Sequence, residues 1–188
     1  MAREDGHSRA LSRRAIIGAS VMLAAGGVAL AAGLAWRRPG AAGIPAPSPA
    51  RDGFEISLSE NEWRARLSPA QFAILRKHAT EQPFTNALKG ERSPLLSESR
   101  AGSYLCAGCG NPLYRSETKY DSRTGWPSFW QEIDGAVGYA TDSRFLLTRT
   151  EVHCARCGGH LGHVFEDGPE PTGLRHCINA LAMTFEPD

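Results

Sequence analysis

Charge of one sign is what this 188-residue chain has least of: 21 Lys and Arg against 20 Asp and Glu leave a formal net charge of +1. That balance supplies no footprint for nucleic acid and no bias towards acidic partners. Internal repeats are absent apart from two short cysteine turns. Cysteine itself is scarce, at five residues, and an odd number cannot all be paired within one chain. Four of the five fall into two Cys-x-x-Cys pairs and one stands alone. What is present is ordinary: 41% hydrophobic and 22% charged residues describe a soluble globular protein long enough for one domain plus a targeting or linker segment. Twenty Gly and twelve Pro add many turns.

The first charge gap is informative. From Ala15 to Trp36 there is no charged residue, and the stretch follows Ser12-Arg13-Arg14-Ala15-Ile16-Ile17. Adjacent arginines before an apolar run predict export by the twin-arginine route, to the periplasm or the outer face of the inner membrane. Residues 15–36 are also long enough to span a bilayer as an anchor. Small residues at Ala29-Leu30-Ala31 and from Ala42 to Ala46 leave both a cleaved and an anchored form open. No cysteine follows the run, which excludes lipidation there. The organisation read from this is a signal or anchor over 1–36, a Pro/Gly/Ala-rich linker over 37–53, and a folded domain over 54–188.

Within the domain, Ser68-Pro69-Ala70-Gln71 carries an N-cap serine, a first-turn proline and a capping-box glutamine. Phe72, Leu75 and Ala79 then recur at helical spacing, so a helix is predicted from Pro69 to about Glu81, stopped by Pro83. Beyond it the pattern turns to short strands: Ser103 to Leu105, Arg144 to Val152, and Cys177 to Phe185 with alternate residues on one face. The fold class is mainly β, an α+β arrangement with a short helical N-terminal portion.

Cys106-Ala107-Gly108-Cys109-Gly110 and Cys154-Ala155-Arg156-Cys157-Gly158 are two copies of one turn. A two-residue gap lets both sulfurs of a turn face one ion, and two turns supply the four thiolates of a closed structural zinc site, one ion per chain. Disulfides or a redox-active dithiol are the other readings of such pairs.

Cys177 lies in Arg175-His176-Cys177-Ile178-Asn179. A lone cysteine is commonly a buried small hydrophobe. Here Arg175, two residues away in an extended strand, brings a charge that favours the thiolate. Asn179 brings a hydrogen-bonding amide. His160 and His163 follow the second cysteine turn directly, which suits acid/base groups held by a metal-anchored loop. Gly125-Trp126-Pro127-Ser128-Phe129-Trp130 is either core or an aromatic wall for a small molecule.

In order along the chain, Cys-x-x-Cys-Gly, Gly-Trp-Pro-Ser-Phe, a second Cys-x-x-Cys-Gly, His-Leu-Gly-His-Val-Phe and Arg-x-Cys-x-Asn resemble the methionine sulfoxide reductase B family. Glu62-Trp63, Leu67 to Gln71 and Thr80 to Phe84 are similar too, so the likeness runs from about Ser59 to Phe185. The resemblance implies two antiparallel sheets and thiol-dependent reduction of the R epimer of methionine sulfoxide, free or in oxidised proteins. It implies Cys177 as nucleophile, His160 and His163 as partners of the departing oxygen, and Arg175 and Asn179 as supports. Trp126, with Phe129 in the same loop, is implied to pack against the substrate.

Many members carry a second, resolving cysteine where this chain has Thr124. Regeneration is therefore expected from an outside thiol such as a thioredoxin-like protein, acting on a Cys177 sulfenic acid. His176 and Ala180 replace the aromatic residue and the serine usual beside the nucleophile. The competing reading is a zinc-scaffolded binding module without catalysis.

Overall fold

The computed structural model describes residues 43–48, 53–144 and 147–188. The predicted export or anchor segment lies outside the described residues, and the predicted linker is described only at 43–48 and 53. Among the described residues, no helix is long and apolar enough to cross a membrane.

Two short helices come first, α1 over Glu60–Arg66 and α2 over Pro69–Lys77. Ser59 and Ser68 cap them, and Glu62 and Gln71 complete reciprocal capping boxes. Apolar spacing does not reveal α1, because it buries only Trp63. Its available signal is the Ser59-x-x-Glu62 box. α2 starts at the predicted proline but ends four residues before Glu81. His78 takes the left-handed conformation (φ 55°, ψ 37°), and the His78 and Ala79 N–H groups close the last turn on Ile74 and Ala73 carbonyls. The segment after His78 thereby leaves the helix axis.

The strands are β1 (Ala87–Leu88), β2 (Glu91–Arg92), β3 (Gly102–Cys106), β4 (Pro112–Arg115), β5 (Lys119–Tyr120), β6 (Ser128–Phe129), β7 (Val137–Asp142), β8 (Arg149–Cys154), β9 (His160–Phe165), β10 (Arg175–Ile178) and β11 (Met183–Pro187). β1 and β2 form a small hairpin. The two principal sheets are antiparallel, a six-stranded one in the order β5-β6-β10-β9-β8-β7 and a three-stranded one in the order β11-β3-β4. This is the mainly β, two-sheet architecture expected.

Two strand expectations need correcting. The strand predicted over Arg144 to Val152 begins at Arg149, where pairing with Asp142 of β7 starts, and runs on to Cys154. The single strand predicted from Cys177 to Phe185 is broken by a 3-10 turn at Ala180–Ala182. That turn moves the chain from one sheet to the other. β10 pairs with β6 and β9, whereas β11 pairs with β3.

Strand alternation then sorts the side chains of the six-stranded sheet. Phe129 opposes His176 across β6 and β10, and both face the three-stranded sheet. There Phe129 stacks on Tyr114 with ring centroids 4.2 Å apart and meets Tyr104 edge-on at 4.9 Å. Tyr104, Tyr114, Phe129 and His176 are all fully buried. Aromatic pairs of this kind add about 0.5–1.5 kcal/mol each beyond area burial. Ser128 and Cys177, the partners one residue along, face the opposite side.

Candidate active site and metal centre

The opposite side of the six-stranded sheet gathers the titratable groups. A spacing of three would put His160 and His163 on opposite faces of a regular strand. The β8–β9 register shifts at Val152/His153, however, so that Glu151 opposes His163 while His153 opposes His160. The extra residue in β9 resets the alternation, as a bulge does. Glu151, His153, His160 and His163 consequently share one face. Cys177 joins them, because it stands directly opposite His163 in the β9–β10 register. Directly opposed residues bring their Cβ atoms to about 4.5–5.5 Å.

Each imidazole is held by a carboxylate. His163 Nε2 lies 2.8 Å from Asp142 Oδ2, and His160 Nδ1 lies 2.6 Å from Glu151 Oε1. Burial pushes both histidines below the usual imidazole range, against the opposing pull of their carboxylates. Both rings are therefore neutral near pH 7. Burial alone would raise Glu151 and Asp142, but hydrogen bonds from His160 and His163 leave each below its usual value.

Cys177 lines a cavity of about 100 Å³ with Thr80, Trp126, His163, Phe165 and Asn179. Burial raises the thiol, and the charge of Arg175 and a hydrogen bond with Thr124 oppose that rise without cancelling it. Thr124 Oγ1 is 3.9 Å from the sulfur and ends a hydroxyl chain: Ser122 Oγ is 2.8 Å from Thr124 Oγ1 and 2.7 Å from Ser128 Oγ. Arg175 is fixed by a bidentate pair with Asp167, at 2.8 and 2.9 Å, and lies over the Phe165 ring.

The predicted residues thus divide. Cys177, His163, Trp126 and Asn179 meet at the cavity, with Arg175 beside them. His160 does not line it; its ring stands behind, edge-on to His163 with centroids 5.4 Å apart. Phe129 does not line it either, since alternation turns its ring into the core. Asn179 is committed to the fold: its amide donates to the Leu161 carbonyl at 2.9 Å and accepts from the Glu81 N–H at 3.1 Å.

Several residues were missed from sequence. Glu81 is buried, its carboxylate accepts from the Ala180 and Leu181 N–H groups, and its carbonyl accepts from Trp126 Nε1 at 3.3 Å. It ties the segment after α2, the tryptophan loop and the turn after Cys177 into one wall. Asp142, Glu151 and Asp167 were also missed. Nothing local marks a cross-strand carboxylate until the register is known.

The four turn cysteines converge. Their Sγ atoms all lie within 4.8 Å of one another, with Cys106 to Cys157 at 3.7 Å and Cys109 to Cys154 at 3.6 Å. Four sulfurs placed tetrahedrally about an ion at 2.3 Å stand about 3.8 Å apart. The cluster therefore fits a tetrahedral metal ion. The metal-fitting turns sit at the ends of β3 and β8, so they join the two sheets.

Comparison with known proteins follows the same lines. Residues 67–187 match the model of the SelR domain. The chain is 48% identical over 134 residues to a protein of Agrobacterium fabrum named peptide methionine sulfoxide reductase MsrB, covering 71% of this chain and 94% of that protein. A protein of the same name from Leifsonia xyli is 51% identical over 137 residues, covering 72% and 94%. Another, from Bradyrhizobium diazoefficiens, is 52% identical over 134 residues, covering 71% and 91%.

Proposed function

The chain belongs to the MsrB family of peptide methionine sulfoxide reductases, and we propose that it reduces methionine (R)-sulfoxide, chiefly in oxidised proteins, with Cys177 as nucleophile. The observation that carries this reading is the cross-strand pairing of Cys177 with a carboxylate-held His163 inside one small cavity.

In this account Trp126 bounds the cavity where the substrate's methyl group enters. The Cys177 thiolate attacks the sulfoxide sulfur, and His163 relays a proton from solvent to the oxygen. That oxygen passes to Cys177 Sγ as the S–S bond breaks and the thioether leaves. One thiol and one sulfoxide become one sulfenic acid and one thioether. Asp142 steadies the transient positive charge on His163. His160 acts from behind, holding His163 through ring contact rather than touching substrate. Thr124 offers no thiol to condense with the sulfenic acid. An outside thiol, of a thioredoxin-like protein or a small molecule, therefore forms a mixed disulfide with release of water. A second thiol then frees Cys177.

The four cysteines hold one zinc ion that fixes the ends of β3 and β8. Bound zinc supplies structural cross-linking and no chemistry, because four thiolates close its coordination. Residues 1–36 direct export by the twin-arginine route, which the Ser12-Arg13-Arg14 segment and the uncharged run behind it support.

The mechanism is tested by one turnover without reductant. Mass spectrometry should find one methionine formed per chain and a dimedone adduct on Cys177. A disulfide between Cys177 and another cysteine of the chain would overturn the outside-thiol scheme.

A further inference from the structure

Beyond the Cys177 cavity, the same sheet face opens into a second and larger one of about 380 Å³. His78, Glu151 and His153 project into it, beside Phe54, Tyr139 and Ala140. At its wall, one donor atom each from His78, Glu151 and His160 lies within 4.8 Å of the others. Glu151 Oε1 is 2.6 Å from His160 Nδ1 and 3.1 Å from His78 Nδ1. The two imidazole rings lean together with centroids 4.7 Å apart.

A hydrogen-bonded His–Glu–His cluster would satisfy both imidazoles, and this one does not. His78 Nδ1 is shielded from solvent yet has no hydrogen-bond partner, although Glu151 Oε1 is 3.1 Å away. A buried nitrogen left without a partner is unfavourable. The backbone adds to that cost. His78 is held in the left-handed conformation, which disfavours a residue with a Cβ. Two unfavourable features thus aim one imidazole nitrogen at a carboxylate and a second imidazole. A cation at that point would satisfy all three donors.

We propose that His78, Glu151 and His160 form a second metal site, separate from the four cysteines, for a divalent transition ion. Two imidazoles and one carboxylate are the donor set of zinc, cobalt, nickel or copper(II), whereas calcium and magnesium prefer all-oxygen sites. Three protein ligands leave a coordination position open, and His78 and Glu151 line a cavity with room for water. Binding requires the Nδ1 lone pair of each histidine, so the proton that His160 Nδ1 shares with Glu151 moves to Nε2. No oxidant or reductant is involved. His153, on the same face of β8, lines the approach.

The site is tested on the full-length protein carrying its own metal, titrated with cobalt(II). The expected result is one further equivalent, with visible bands of nitrogen and oxygen coordination and without a thiolate-to-cobalt charge-transfer band. His78→Gly suits the left-handed backbone and removes one ligand, and Glu151→Gln removes another. Each should weaken the added equivalent at least about tenfold while the cysteine-bound metal stays in place. No added equivalent, binding unchanged in both variants, or a charge-transfer band on the added equivalent would overturn the proposal. None of these readouts depends on turnover, so they stand apart from the reductase reading.

Discussion

At the scale of single residues, Cys177 is set between opposing influences. Burial holds the thiol up, while Arg175 and Thr124 favour its ionised form. The reactive fraction therefore grows as pH rises, and the alkaline side is where kcat/KM should climb. Thr124→Val removes a hydrogen bond to the sulfur. A hydrogen bond with a net worth of about 1 kcal/mol corresponds to roughly 0.7 of a pH unit. The acid limb of the kcat/KM profile should accordingly move up by about half a unit or more in Thr124→Val and stay near its original position in Thr124→Ser. An unmoved limb in the valine variant would show that the hydroxyl does not reach the thiolate. The meeting of Cys177, His163 and Trp126 at one cavity was foreshadowed at this scale. Cys177, His163 and Trp126 sit in short strings whose residue types announce reactivity. Phe129 was misplaced for a reason equally local: it neighbours Ser128 in β6, and alternation sends one side chain to the cavity side and the other to the core.

At the scale of elements, register decides what sequence could not show. His160 and His163 share a face only because β9 carries an extra residue against β8, and nothing in His-Leu-Gly-His announces that bulge. The carboxylates of Asp142 and Glu151 reach these histidines across strand pairs whose partners are distant in sequence. The end of α2 was hidden for a related reason. Its apolar spacing continues to Ala79, but His78 turns left-handed and frees Glu81 to brace the cavity wall. The β9–β10 seam is also sterically exacting. A Cβ at Gly162 would fall on the Cys177 carbonyl oxygen, a backbone atom with no rotamer to yield. Gly162→Ala should force the two strands apart, cost about 1–3 kcal/mol of stability, and lower kcat/KM by more than tenfold. Thermal unfolding and steady-state kinetics check both parts. An unaltered kcat/KM would mean that the Cys177–His163 pairing tolerates displacement.

At the scale of the whole molecule, two sheets share an aromatic core and meet again at the four-cysteine cluster. The mainly β class and the pairing of the two turns were readable in advance, because each Cys-x-x-Cys-Gly turn is a self-contained signal. The change of sheet after Cys177 was not, since the break at Ala180–Ala182 looks like continuous alternation in the sequence. If zinc holds the sheets together, its loss is a folding event and not a local one. Metal analysis should give one equivalent at the cysteines, and Cys106→Ser should lose it along with the cooperative unfolding transition. A folded, metal-free Cys106→Ser protein would show that the cluster is not needed for the fold.

The central claim is that this fold presents Cys177 to one stereochemical form of an oxidised methionine. It is tested most directly by following the two epimers of methionine sulfoxide separately, in a peptide, with dithiothreitol as reductant. The account predicts that the R epimer is converted to methionine, that the S epimer is left, and that Cys177→Ser abolishes conversion while keeping the folded structure. Equal loss of both epimers, or turnover retained in a folded Cys177→Ser protein, would contradict it.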